Sequence, residues 1–185
     1  MEFRQLDAIL DRVPTRGAAA DIGAGFGRLC LVLHDRFDSV TGFEREPDLV
    51  KDARRILPDV DFAQVERLTV LPAEDQSFDF ALTFTVLQHL DRREAKGVIA
   101  EVKRIVRPDG YALLVEDTDP SYAKSGKERS HFTYGRSVRW HRDQMAPFRL
   151  VHIGRRPNEA GFQYRGKPRP YSAHFMLFAG PEAYA

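Results

Sequence analysis

Short apolar runs alternate along this chain with segments whose apolar residues recur at helical spacing, the pattern of a mostly parallel sheet covered by helices. After one amphipathic helix at Phe3–Leu10, Gly17–Ile22 reads as a first strand, although its alanines are weak strand formers. Arg28–Phe37 follows as a helix with Leu29, Val32 and Leu33 on one face. Ser39–Glu44 is a second strand. Pro47 stands where helices take a first-turn proline, and Leu49, Val50, Ala53, Ile56 and Leu57 give that helix its stripe before Pro58 ends it. Asp61–Val65 is a short third strand, with an irregular stretch through Pro72. Phe78–Phe84 is a fourth, apolar apart from Asp79 and Thr83. Asp91 with Glu94 forms a capping box for a helix reaching about Val106, Arg107–Gly110 is a turn, and Tyr111–Val115 is a fifth strand. Beyond Glu116 the pattern loosens into a loop at Thr118–Tyr134 and a helix at Arg136–Met145. Strands at Phe148–Ile153 and His174–Ala179 then flank a long loop at Asn158–Tyr171 and pair as an antiparallel hairpin.

At 185 residues the chain fits one domain over residues 1–185, with 43% apolar and 30% charged residues. No window approaches the ~20 apolar residues of a membrane span, and the N-terminus lacks a signal-peptide pattern. Cys30 is the sole cysteine and cannot form an internal disulfide, so the expected compartment is the cytoplasm, with no membrane association. The net charge of +1 hides an asymmetry: 16 Lys and Arg against 22 Asp and Glu in residues 1–117, and 12 against 5 in residues 118–185. A basic half of this kind is either a docking face for an anion or a solvated surface.

Chemistry concentrates at the end of the first strand, in Asp21-Ile22-Gly23-Ala24-Gly25-Phe26-Gly27-Arg28. Glycines let the backbone turn sharply and let a ligand approach where a Cβ would collide. A dinucleotide fingerprint would place its third small residue one position later, where this chain has the bulky Arg28. The acid before the bend also suits a ligand with an ammonium group better than a pyrophosphate. Glu44 closes the second strand about 20 residues beyond the glycines, where an acid accepts hydrogen bonds from both hydroxyls of a ribose. Arg45, next in line, either lies over an adenine face or points to water.

With Leu71-Pro72, Ser77-Phe78-Asp79, Val86-Leu87-Gln88-His89-Leu90 and Arg104-Ile105-Val106-Arg107-Pro108-Asp109-Gly110-Tyr111, these motifs follow in an order that resembles the class I S-adenosylmethionine (SAM)-dependent methyltransferases. The likeness is in particular to their small-molecule "methyltransferase domain" group, over roughly residues 15–117. The resemblance implies an α/β fold: a Rossmann-like, doubly wound seven-stranded sheet, mostly parallel with an antiparallel C-terminal hairpin. It implies SAM as cofactor, with residues 1–117 as the SAM-binding half and 118–185 as the acceptor-binding half. Asp21, Gly23, Ala24 and Gly25 would line the methionyl and ribose region, Glu44 would bind the ribose, and Phe84 and Thr85 would offer carbonyls to the ammonium. Glu66 is the nearest acid for the adenine amino group, although its distance from Pro72 departs from the usual spacing. His89 lies where the family has a histidine near the methyl-transfer site.

The acceptor side is expected in the last third. His131 and His89 are the candidate catalytic bases, and Tyr134, Arg156 and Arg169 the candidate acceptor contacts, with Arg155, Arg165 and Lys167 nearby. No Cys or His pair stands at ligand spacing, so no metal is expected. Thr83-Phe84-Thr85-Val86 lacks the Asn/Asp-Pro-Pro-aromatic tetrad of base-amine methylation, which turns the expectation from nucleic acid to an oxygen or nitrogen of a small anionic metabolite. The short stretch before the first strand leaves the cofactor site to be covered by Thr118–Tyr134, a homodimer mate or a partner subunit. Three alternatives stay open: an RNA or protein methyltransferase, a non-catalytic accessory subunit of the same fold, and a nicotinamide-dependent oxidoreductase.

Overall fold

The computed structural model describes residues 2–119, 134–156, 163–164, 167–168 and 173–183. Helix α1 (Glu2–Leu10) precedes β1 (Ala18–Ile22), α2 (Arg28–His34), β2 (Ser39–Glu44), α3 (Pro47–Ile56) and β3 (Asp61–Gln64). The chain continues through β4 (Phe78–Phe84), a 3-10 turn at Leu87–His89, α4 (Arg92–Ile105), β5 (Val106–Asp117), α5 (Val138–Met145) and β6 (Arg149–Arg155). A two-residue pairing of β7 (Gln163–Tyr164) with β8 (Lys167–Pro168) stands apart, and β9 (Ala173–Ala179) completes the main sheet.

Seven strands pair in the order β3-β2-β1-β4-β5-β9-β6. The pairs from β3 to β5 are parallel, and β9 is antiparallel to both β5 and β6. The strand order therefore reverses between β1 and β4, the topological switch at which open α/β sheets bind ligands beyond their carboxyl ends.

Burial on both faces overrides the weak strand preference of the β1 alanines: Ala19 and Ala20 lie in the sheet centre and are fully buried. On one face Leu82, Leu113, Val115 and Leu177 pack with Leu6, Leu10, Leu29 and Leu33 of α1 and α2. The other face sets Ile22, Ala81, Leu114 and Met176 against Val98, Ile99 and Val102 of α4 and Met145 of α5. Asp91 caps α4 through both parts of the expected capping box, and Pro47 occupies the first turn of α3.

The turn expected at Arg107–Gly110 is instead an excursion within β5. Val106 pairs with Phe78, and the ladder resumes only at Tyr111 with Phe80. Two of its carbonyls are bonded, Gly110 accepting from the Gly180 amide at 2.8 Å and Pro108 from the Glu182 amide at 2.9 Å, and the Arg107 side chain donates to Asp79 at 2.7 Å. Helix α2 also stops three residues short of Phe37, which closes a turn by donating to the Leu33 carbonyl.

Helix α5 buries His141 against the sheet, 1% exposed, with Nδ1 donating to the Ser137 carbonyl at 3.1 Å. Burial pushes its pKa down from 6.5 to about 4. The unfolded chain thus takes up this proton near pH 6.5 and the folded chain only near pH 4, so His141's share of stability is intact above 6.5 and lost as pH falls through that window. Urea unfolding of the wild type and of His141→Phe between pH 7.5 and 4.5 checks this. The wild type should lose up to about 3 kcal/mol relative to the variant, since each tenfold difference in proton affinity between the folded and unfolded chain is worth ~1.4 kcal/mol. Other titrating groups are common to both proteins and cancel.

Candidate functional site

The bend after β1 is built on backbone angles that side chains disfavour: φ is +79° at Gly23, +58° at Gly25 and +89° at Gly27. A Cβ on Gly23 would come within 2.5 Å of the Val86 side chain, whereas one on Gly25 would meet nothing within 4 Å. Closure above Gly23 and open space above Gly25 give the bend a bare, accessible shoulder. The amides of Gly23 and Ala24 both donate to the Phe43 carbonyl, at 2.8 and 3.1 Å, tying the bend to β2.

Glu44, 8% exposed, grips this bend. Its Oε2 accepts from the Gly25 amide at 2.8 Å, and its Oε1 accepts from the amides of Arg45 and Glu46 at 2.7 and 2.9 Å. Three of about four lone-pair positions on the carboxylate are thereby engaged. Asp21, 2% exposed, lies below the bend and accepts from the Cys30 thiol at 3.3 Å. Burial pushes the Asp21 carboxyl up to about 7, against the Cys30 bond and the Arg28 charge, which pull it down. A cation placed beside it would restore its negative charge. The same burial, together with Asp21, pushes the Cys30 thiol up, which makes it a poor nucleophile.

Two hollows meet at this bend. A cleft of about 960 Å³ runs from Gly23 and Glu44 past Thr85 and Val86 to His89 and Asp91. A recess of about 160 Å³ lies on the other side of Gly23, lined by Asp21, Gly25, Arg28 and Phe84 among others. A third hollow, about 770 Å³, opens on the outer side of α2 and α3 around Phe26, Leu31 and Ile56 and includes neither Glu44 nor Thr85.

The far wall of the cleft is the loop after β4, and here the structure adds residues that sequence reasoning missed. Thr85 takes φ +57°, held by its amide bond to the Val115 carbonyl at 2.8 Å. Glu116, fully buried, accepts from the amides of Val86, Leu87 and Gln88 and from the Thr83 hydroxyl, each at 3.1 Å. Burial pushes its carboxyl up to about 7 while these four donors pull it back. Arg136, 9% exposed, takes the carbonyls of the same loop, donating to Leu87 at 2.7 Å and Leu90 at 2.6 Å. Gln88 completes the brace, its Oε1 accepting from the Asp117 amide at 3.0 Å. The one sequence signal was an acid ending an otherwise apolar fifth strand.

The expected site residues fall into distinct places. Gly23, Glu44, Arg45, Glu66, Thr85 and His89 line the cleft, and Asp21, Gly23, Ala24, Gly25 and Phe84 line the recess. Arg45 is engaged sideways, donating to Glu46 at 3.1 and 3.0 Å. Glu66 is exposed at the rim, 3.9 Å from Arg67. His89 is exposed, its Nε2 3.3 Å from the Gln88 amide nitrogen. Tyr134 donates its amide to the Gln88 carbonyl, and its ring lies 5.6 Å from the Arg136 guanidinium. Arg156 reaches the Phe84 ring at 4.9 Å. His131, Arg165 and Arg169 lie outside the described residues, as do most of the loops expected at Thr118–Tyr134 and Asn158–Tyr171. Among the described residues no His, Cys, Asp and Glu group is arranged to hold a metal ion, and no helix is long and apolar enough to cross a membrane.

Comparison with known proteins gives this geometry a family. Residues 20–114, just over half of the chain, match the family described as a methyltransferase domain. A tRNA (carboxymethyluridine(34)-5-O)-methyltransferase of Saccharomyces cerevisiae is 31% identical over 102 residues, which cover 55% of this chain and 36% of that protein. The chain spans less than half the length of the curated relatives it matches. The fold is shared with the 1,6-didemethyltoxoflavin-N1-methyltransferase of Burkholderia thailandensis, solved with 1,6-didemethyltoxoflavin and S-adenosylhomocysteine: TM-score 0.71, 20% identity, 98% of this chain and 79% of that one. It is shared also with a Haloferax volcanii complex between the Trm112 methyltransferase activator and a methyltransferase: TM-score 0.77, 16% identity, 100% of this chain and 91% of that one.

Replacing Glu116 tests the brace. Glu116→Gln keeps the volume but turns an N–H toward amides that need an acceptor, so urea unfolding at neutral pH should register a loss of about 1–3 kcal/mol. Unchanged stability would show that the loop holds itself.

Proposed function

As a member of the class I SAM-dependent methyltransferases, the chain has a donor in common with its family, and we propose that it moves a methyl group from SAM to an oxygen or nitrogen of a small, anionic metabolite. When bound, SAM supplies a methyl already activated on a sulfonium. The observation that supports the binding site best is the bend itself: the space above Gly25 is empty, and Glu44 is fixed beside it.

In this reading Asp21 answers the donor's ammonium, with Gly23, Ala24 and Gly25 forming the surface beneath it and the Phe84 and Thr85 carbonyls facing the same group. Glu44 binds the ribose, and to receive both hydroxyls it gives up one of its three main-chain donors. Arg45 and Glu66 border the adenine end. The loop braced by Glu116 and Arg136 excludes water and fixes the acceptor, since holding two reactants in register supplies as much as ~7–11 kcal/mol of barrier lowering. His89 at the cleft, and His131 from the acceptor half, are the proposed bases for a hydroxyl acceptor. Tyr134, Arg156 and Arg169 contact the acceptor. The chain works in the cytoplasm, and a second copy or a partner subunit completes the cover over the site, as an activator accompanies the Haloferax methyltransferase.

A second reading, RNA as acceptor, is favoured by the tRNA methyltransferase relative and by the basic residues 118–185. Binding to RNA that weakens steeply with salt would support it over a small acceptor.

Calorimetric titration with SAM, S-adenosylhomocysteine and NAD tests the donor. The first two should bind and NAD should not; the reverse would end this reading. Glu44→Ala should weaken SAM by about 1–3 kcal/mol, roughly 5–150-fold, and unchanged affinity would remove Glu44 from the site.

A further inference from the structure

Among the described residues no strand pairs with the outer edge of β6, the terminal strand of the sheet. Pairing with β9 is regular from His152 to Arg155, after a bulge at Val151. Arg156 donates its amide to the Ala173 carbonyl, so the alternation of an antiparallel ladder turns the main-chain groups of Ile153 and Arg155 away from β9. The Arg155 carbonyl accepts from Gln5 Nε2 at 3.2 Å, whereas Ile153 has no such partner among the described residues. Apolar side chains stand beside these groups: Val151 is 38% and Ile153 44% exposed.

The charge along this edge has one sign. From residue 146 to 155 the chain carries Arg149, His152 and Arg155 and no acid, and the adjoining strand β9 carries none either. Arg12, exposed in the turn after α1, reaches the same place: burial and, after it, the Arg12 charge hold the His152 imidazole below its usual range. Two copies of β6 laid edge to edge would set one arginine-bearing strand against another, and like charges across a strand pair repel. A second copy of this chain is therefore a poor occupant. RNA would answer the arginines through its phosphates but neither the outward main-chain groups nor Val151 and Ile153. An extended protein segment answers all three at once. Its backbone continues the ladder, its apolar side chains cover Val151 and Ile153, and its carboxylates meet the cations.

We infer that the outer edge of β6 docks an extended, acidic segment of a partner protein, which joins the sheet as an added strand. Three strands lie between β6 and β1, so this surface is separate from the donor cleft and stands whatever the donor is.

The heptapeptide acetyl-Glu-Val-Glu-Val-Glu-Val-Glu-amide, its Lys-for-Glu counterpart and single-stranded polyuridine, each titrated into the full chain, test this by calorimetry and amide exchange. The acidic peptide should bind and, at saturation, slow exchange at Ile153; the basic peptide should not bind. Ile153→Pro removes the outward N–H at an edge position where proline is tolerated, and should abolish peptide binding. Arg12→Glu combined with Arg155→Glu should weaken it roughly tenfold or more, through like-charge repulsion. The two peptides compared on the wild type decide the matter even where a variant fails to fold. No binding of the acidic peptide, equal binding of the basic one, or binding unmoved by either variant overturns the docking edge. Polyuridine that binds in place of the peptide, lost in the arginine variant and kept in Ile153→Pro, would assign the edge to RNA and overturn it too.

Discussion

Where parallel strands end and the chain turns away, main-chain amides lose their ladder partners, and buried amides must be bonded somewhere. In this protein two carboxylates meet that demand at the carboxyl edge of the sheet. Glu44, at the end of β2, accepts from Gly25 in the bend after β1. Glu116, near the end of β5, accepts from three successive amides after β4. Each acid thus fixes the loop of a neighbouring strand, Glu44 the start of its own as well, and the cleft lies between the two neighbouring loops they fix. Arg136 answers from the opposite side by taking the carbonyls of the second loop.

This arrangement puts titratable groups where water is scarce. Asp21 and Glu116 are both pushed up to about 7 by burial, which leaves each near the midpoint of its titration at neutral pH. For Glu116 the compensation is internal, through four donors and a nearby guanidinium. Asp21 is stabilised by the Cys30 thiol and the Arg28 charge, so a cationic ligand would change its state more. The two halves of the chain meet here as well. Tyr134 and Arg136, from residues 118–185, bond to the loop that walls the cleft, and Arg156 reaches Phe84.

Much of the fold was legible because its signals are local. The glycine bend, Pro47 in the first turn of α3 and the Asp91–Glu94 capping box each depend on residues a few positions apart. Apolar runs gave β4 and the core of β5 for the same reason, and the seven-stranded, mostly parallel sheet with its antiparallel hairpin followed from the family resemblance. Features set by distant partners were not legible. Arg107–Gly110 has the composition of a turn, yet Gly180 and Glu182 extend the sheet along it. Glu116 and Arg136 are charges in an interior, and nothing near either in sequence announces the loop, about 30 and 50 residues away, that justifies burying them.

The central claim is that the bend after β1 and the loop after β4 together hold a sulfonium nucleoside. Amide hydrogen exchange, compared with and without saturating SAM, addresses it most directly. Exchange should slow at residues 23–25 and 85–88 and stay unchanged along the outer surface of α2 and α3. Protection confined to that outer surface, around Leu31 and Ile56, would place the ligand elsewhere and contradict the account.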